Sequence, residues 1–247
     1  MPRKAQTESV ADAAAAPGGA AAVDRAVSLL AAFRSGDVAL SLTELAERTR
    51  LYKSTVLRLL ASLEHARLVQ KTGDGHYGLG SEIARLHGIY AAAFSLDQAV
   101  MPVLRALVAQ TGESAAYHVR QGPAAGWQRL CQYRVDSPNI LRDHVNVGDV
   151  LPNDRGAGAR VLVAFSPDLA SQNGQKDRKL LAAIRATGYC ALVGDRSAEL
   201  AGISAPVFQA DGSLAAALTL TMPAHRYNER HVPPVLAAAR ELSRLVG

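Results

Sequence analysis

The sequence predicts an α+β chain of two domains: a winged helix-turn-helix over residues 21–80, a linking helix over 81–95, and a sheet-and-helix domain over 96–247. Three observations carry that expectation. Between residues 53 and 65, Val56, Leu59, Leu60 and Leu63 fall at i, i+3, i+4 and i+7, one buried helical stripe, while Lys53, Ser54, Thr55, Arg58 and Ser62 take the other side. Just upstream, Ser41-Leu42-Thr43-Glu44 has the spacing of a capping box, and downstream Gly73-Asp74-Gly75 links two short β-like runs. Beyond residue 113, strand-like runs mix with helical ones, the pattern of one antiparallel sheet with helices packed on it.

Taken in order, residues 1–20 are rich in Ala and Gly, and Pro17-Gly18-Gly19 breaks any helix before Val23, so a disordered tail is expected. A first helix over 23–34 places Val23, Ala26, Val27, Leu30 and Phe33 on one side, and ends before Ser35-Gly36-Asp37. The second helix starts at the capping box, with Leu42, Leu45 and Ala46 inward and Thr43 outward on its first turn, placed to donate to a phosphate. Arg50 and Leu51 make the turn into the third helix. The exposed hydroxyls and bases of that helix suit a major groove, where they reach base edges and phosphates. Leu57, off the apolar stripe, either meets a thymine methyl or packs on the wing. Residues 68–71 and 76–79 form the wing, with Lys71 and His76 near its tip.

The linking helix carries Ile83, Leu86, Ile89, Tyr90 and Ala93 on one apolar face, which either joins the core or packs on a second subunit; the second is favoured, since a dimer reads two half-sites. Ser95-Leu96-Asp97-Gln98 offers another capping box for a helix through Gln110, interrupted by Pro102. Strands are expected at 114–120, 126–135, about 140–145, 203–208 and 214–221, and helices at 158–165, 177–187 and 228–246. Gly156 and Gly158 precede one of these helices, where bare backbone can approach a ligand and free amides attract an anion such as a carboxylate.

Composition narrows the function classes. At 49% hydrophobic, with no uncharged run near the roughly 20 apolar residues of a membrane span, the chain reads as a packed soluble protein. Gln6, Thr7, Glu8 and Asp12 interrupt any signal-peptide core, so a cytoplasmic protein is expected. Cys131 and Cys190 lie far apart with no CxxC or Cys/His spacing, which argues against a disulfide framework or zinc site. No G-x-S-x-G or HExxH motif is present, so catalysis, a metal and a cofactor are not expected. The net charge of +5 only permits nucleic-acid binding, but from Arg48 to Lys71 six bases face the single acid Glu64, on the two-helix pattern.

The series Val23-Asp24-Arg25-Ala26-Val27, Leu45-Ala46-Glu47, Lys53-Ser54-Thr55-Val56 with Arg58-Leu59-Leu60, and Tyr77-Gly78-Leu79-Gly80 resembles the IclR family of bacterial transcriptional regulators, over nearly the whole chain beyond residue 20. The resemblance implies a C-terminal ligand-binding domain of GAF-like topology, and a DNA-binding regulator that forms a dimer or dimer of dimers and binds duplex operator DNA. Their own placement on the helices and wing marks Thr43, Lys53, Ser54, Thr55, Arg58, Lys71 and His76 as candidate DNA-binding positions. An effector pocket is implied at Ala157, Gly158, Gly202, Thr219 and Thr221; Arg155, outside that family pattern, is a further effector-binding candidate. Family members often carry a His in this loop and Gly-Lys-Ala at the helix start, whereas this chain has Asp154-Arg155 and Ala159-Arg160-Val161. Arg155 or Arg142 can pair with a carboxylate, and Arg155 can equally pair with Asp154. His118, Tyr133 and His144 are further pocket candidates. A small organic acid, aromatic or a short keto or hydroxy acid, is the expected effector. The competing expectation is a metabolite-binding enzyme or sensor whose N-terminal domain serves protein interaction.

Overall fold

A computed structural model describes residues 8–94, 96–122, 126–170 and 175–246, in two units, Met1–Phe94 and Ser95–Gly247. The first begins where a disordered tail was expected. Instead Ser9 caps a one-turn helix, α1 (Val10–Ala13), by accepting from the Asp12 amide. Asp12 in turn pairs with Arg25 at 2.9 Å. Burial of Ala11 and this ion pair tie the turn to α2 (Ala21–Ala31).

On α2 the inward stripe is Ala26, Leu29 and Leu30, continued by Phe33 just past its end, with Leu29 wholly buried. Val23 and Val27 lie to one side of it and are 58% and 55% exposed, contrary to the expected inward stripe. Helix α3 (Leu42–Thr49) has the full capping box, Ser41 Oγ accepting from the Glu44 amide while Glu44 accepts from the Ser41 amide. It ends on Arg50 at φ 57°, a left-handed cap. Helix α4 (Lys53–His65) buries Val56, Leu60 and Leu63 against Leu29, Leu40 and Leu45. Its end is a Schellman turn: the Leu68 amide donates to the Leu63 carbonyl and the Arg67 amide to that of Glu64, with Arg67 at φ 57°.

The wing pairs β1 (Val69–Lys71) with β2 (Tyr77–Leu79), Lys71 opposite Tyr77. Leu40 bridges to Tyr77 on the other side, two amide-to-carbonyl bonds of 2.8 Å. Gly80 fits beneath the end of α4 only because it lacks a side chain, since a Cβ there would lie 2.1 Å from the Arg67 carbonyl oxygen. Helix α5 (Ser81–Phe94) follows at once. Its Leu86, Ile89 and Tyr90 are 46%, 55% and 45% exposed.

The second unit is built on α6 (Leu96–Thr111) and a six-stranded sheet. The expected cap at Ser95 falls outside the described residues. Helix α6 runs through Pro102, and Val100, Val103 and Leu104, all buried around it, offset the cost of about 3 kcal/mol that an interior proline carries. The strands are β3 (Ser114–Gln121), β4 (Gln128–Val135), β5 (Val150–Leu151), β6 (Cys190–Val193), β7 (Leu200–Phe208) and β8 (Leu214–Pro223). Their order is β5-β4-β3-β8-β7-β6, with every pairing antiparallel.

Alternation splits the sheet cleanly. Tyr117, Ile203, Val207, Leu218 and Leu220 face α6 and the C-terminal helix α10 (Val232–Leu245). Against the other face stand α7 (Ala157–Ala164), α8 (Pro167–Ala170) and α9 (Gln175–Thr187), around Ala159, Leu162 and Ile184. Two expectations shift. The segment 140–145 is no strand: Ile140 is 95% exposed, while Asp143 is buried among arginines. Helix α10 starts at Val232 rather than 228, because Pro233 and Pro234 fit only a first turn.

Strand β6 pairs with β7 only up to Ser204. Past that point Pro206 has no amide hydrogen, and the Phe208 amide donates to Ser243 Oγ at 3.0 Å. No helix among the described residues is long and apolar enough to cross a membrane.

Candidate functional site

Two surfaces emerge, one on each unit. On the first, Lys53, Ser54, Leu57 and Arg58 of α4 are exposed, and Thr55 is half-buried at its edge. The stripe beneath them holds the helix on its core, so these side chains stand clear of it. The first turn of α4 contains no acid and no side-chain cap, which leaves its leading amides for an incoming phosphate. Lys53 Nζ donates to Thr43 Oγ1 at 2.7 Å, so the starts of α3 and α4 share one hydroxyl-and-ammonium surface. Leu57 is 47% exposed.

The wing separates its two candidates. Lys71 is exposed, its ammonium 5.9 Å from the centre of the Tyr77 ring. His76 is half-buried and faces Asp74 at 3.1 Å, with the Asp74 carboxylate also held by Thr72 and the His76 amide. A hydrogen bond from Thr72 leads the contacts that keep Asp74 ionised to lower pH than usual. His76 therefore offers a phosphate less than Lys71 does. Arg48, one of the six bases in this segment, is taken up by Asp37 and the Ala32 carbonyl. It fastens α3 and contributes no free charge.

On the second unit, the sheet face opposite α6 and α10 carries a narrow cleft, part of it open to solvent. Ala157, Gly158, Gly202, Thr219 and Thr221 all line it, together with His118. Arg155 does not: it is exposed and pairs with Asp154 at 3.0 Å. Of the two pairings open to it in the sequence, Arg155 makes the one with Asp154, where the neighbouring carboxylate holds the guanidinium without any desolvation. Arg142 pairs outside with Asp136 at 3.5 Å. His144 is exposed, and Tyr133 packs edge-on against Tyr117 at 6.1 Å, on the core side.

The cation that does occupy the cleft is Arg129, which the sequence reading missed. It is 2% exposed, and among the described residues its Nε and Nη2 have no hydrogen-bond partner. Burial, and then Arg196 nearby, lower its pKa to about 10, so it stays charged at neutral pH. The other two arginines here are matched: Arg134 and Arg196 both pair with Asp143, and Arg134 also with Asp136 at 2.7 Å. Arg129 is left as a dry guanidinium with donors to spare.

Gly158 makes the approach possible. A Cβ there would sit 2.8 Å from both Arg129 Nη1 and Thr219 Oγ1, and 3.5 Å from His118 Nδ1. Gly156, at φ 88°, caps α7 and gives its amide to Asp195. His118 is 3% exposed, its Nδ1 3.2 Å from Thr219 Oγ1 and its Nε2, among the described residues, without a partner. Burial, helped by Arg129, Arg196 and Arg134, pushes its pKa well below 6.5 and keeps it neutral. Cys131 and Cys190 are free and buried, their thiols pushed up to about 12 by burial, which leaves them protonated and unreactive.

Comparison with known proteins agrees with both units. Residues 22–73 match the IclR helix-turn-helix domain, and residues 172–246 match the C-terminal domain of the bacterial transcriptional regulator IclR. The chain is 26% identical to the glycerol operon regulatory protein of Streptomyces coelicolor, covering 91% of this chain and 94% of that protein. It is 24% identical to the transcriptional regulator KipR of Bacillus subtilis, over 84% and 90%. Among solved structures, an IclR-type regulator from a Silicibacter species superposes at a TM-score of 0.78 with 26% identity, over 92% and 96% of the two chains. An IclR homologue from Microbacterium hydrocarbonoxydans, crystallised with 4-hydroxybenzoate, superposes at 0.79 with 21% identity, over 91% and 98%, and so shares the fold.

Proposed function

The chain belongs to the IclR family of DNA-binding transcriptional regulators, and from that premise we propose that α4 enters the major groove of an operator while a small organic acid in the cleft adjusts operator affinity. The observation that carries the first half is the acid-free, uncapped first turn of α4, with Lys53, Ser54 and Arg58 fully outward. Arg58 reads a base edge, Ser54 and Thr55 read or brace beside it, and Thr43, Lys53 and Lys71 hold phosphates. His76 has a lesser share, because Asp74 already engages it.

The second half rests on Arg129. A buried guanidinium with unmet donors is stabilised by an anion that brings its own lone pairs, and a carboxylate meets it bidentately. The 4-hydroxybenzoate held by the Microbacterium homologue is an acid of this kind. Ligand and DNA influence each other only to the extent that the acid binds two arrangements of the protein unequally.

The exposed stripes Val23 with Val27, and Leu86, Ile89 and Tyr90, fit a second copy of the chain, making a homodimer that reads two half-sites. The cytoplasm is where such a protein meets its operator. Titrating a selected operator duplex by gel shift at fixed salt tests the groove assignment. Arg58→Ala should lose about 1–3 kcal/mol of binding, and unchanged affinity would reject α4 as the reading helix.

A further inference from the structure

Three hydrogen bonds in the floor of the cleft decide which way His118 carries its proton. Ser204 Oγ lies 2.9 Å from the Leu218 carbonyl oxygen, which can only accept, so the Ser204 hydroxyl donates there. Ser204 Oγ is also 3.0 Å from Thr219 Oγ1; with its proton already committed, Ser204 accepts and Thr219 donates. Thr219 then has no proton left for His118 Nδ1 at 3.2 Å, and must accept from it. This is the single assignment that satisfies all three contacts at once. It fixes His118 as the Nδ1–H form. All three side chains are buried, Ser204 completely.

The consequence lies at the other ring nitrogen. His118 Nε2 is buried and unpartnered, and in the neutral ring it carries a lone pair. The cleft therefore presents two unmet groups of opposite demand: donors on Arg129, which want an anion, and an acceptor on His118, which wants a hydrogen-bond donor. Both residues line this one cleft, and a Cβ built on Gly158 would lie 2.8 Å from Arg129 Nη1 and 3.5 Å from His118 Nδ1, so the two side chains lie close enough for one small molecule to meet both.

We propose that the cleft selects acids that carry a hydroxyl or N–H donor beside the carboxylate, and rejects the keto or donor-free acids of the same shape. This deepens the carboxylate reading above and rests on it. A keto oxygen would set one lone pair against another and leave the Nε2 acceptor unsatisfied in a dry site, whereas a hydroxyl would satisfy it.

The test measures calorimetric affinities of the full-length protein for matched pairs: mandelate against benzoylformate, lactate against pyruvate, and salicylate against benzoate. In at least one pair the donor-bearing acid should bind about tenfold to hundredfold more tightly. That preference should collapse in Thr219→Val, which removes the acceptor for Nδ1–H and frees the ring to change tautomer, and in His118→Phe. Imidazole ¹⁵N shifts of the free protein give a second reading that needs no ligand: His118 should show a protonated Nδ1 and a bare Nε2. Equal affinities within every pair that binds, or a protonated Nε2, overturn the donor requirement and leave the carboxylate reading standing. Failure of every acid to bind in an Arg129-dependent way removes both.

Discussion

The two surfaces use the same functional group in opposite surroundings. Arg58 on α4 stands in water, where its charge costs little to keep and acts weakly at a distance. Arg129 in the cleft is dry, unpaired and shifted to about 10. The contrast teaches what each surface is built to recognise. A hydrated basic face suits a polyanion, whose affinity is a sum of many phosphate contacts and falls steeply with salt. One desolvated guanidinium suits one small anion, gains most of its affinity from a single pair, and responds little to salt.

The largest effect that could break this contrast lies at Arg129. Arg129→Met should weaken binding of the cognate acid by about 2–5 kcal/mol, the range for a buried charged pair losing one partner. The same substitution should leave the melting temperature of the ligand-free protein unchanged or raised, because it removes an uncompensated buried charge. A drop in stability without loss of acid binding would make Arg129 an ordinary structural residue.

A smaller effect follows from His118, whose folded pKa lies below its unfolded value of about 6.5. Below that pH the unfolded chain takes up a proton that the folded one refuses, so stability is full above about 6.5 and declines as the pH falls, by up to about 1.4 kcal/mol per pH unit. His231, also depressed by burial and then by Arg230, adds with the same sign. Urea titrations of wild type and His118→Phe between pH 7 and 5 should show a shallower slope in the variant. The smallest effect belongs to the exposed face: Lys53→Ala should reduce the slope of log K against log salt for DNA by about 0.9, while leaving acid affinity untouched. A slope that does not change would remove Lys53 from the phosphate contacts.

The same contrast explains what was legible beforehand. The winged unit could be read because its signals are local: the Ser41–Glu44 box, the stripe Val56, Leu60, Leu63 and the Asp74-Gly75 turn each act within a few residues. Likewise Gly158 and Thr219 carried their own signatures of close backbone and shared strand face. Arg129 could not be read. In Gln128-Arg129-Leu130-Cys131 it is in phase with Cys131, yet a charged residue near a strand start reads as one that turns to solvent, and it is buried because distant segments, α7 and the loop around Asp143, line the same cleft. Arg155 drew attention for being next to the glycines, yet one carboxylate at the adjacent position was enough to turn it outward. Val23 and Val27 misled for a related reason, since an apolar residue on a helix does not say which neighbour covers it.

The outer margin of β7 has a consequence for how copies of this protein associate. A strand offered by another molecule would find no hydrogen to accept from at Pro206 and one already spent on Ser243 at Phe208. At the opposite margin, β5 is two residues long. An added strand is thereby disfavoured along this uncovered stretch of β7 and offered little length at β5, so the only longer edge left among the described strands is the four-residue β6.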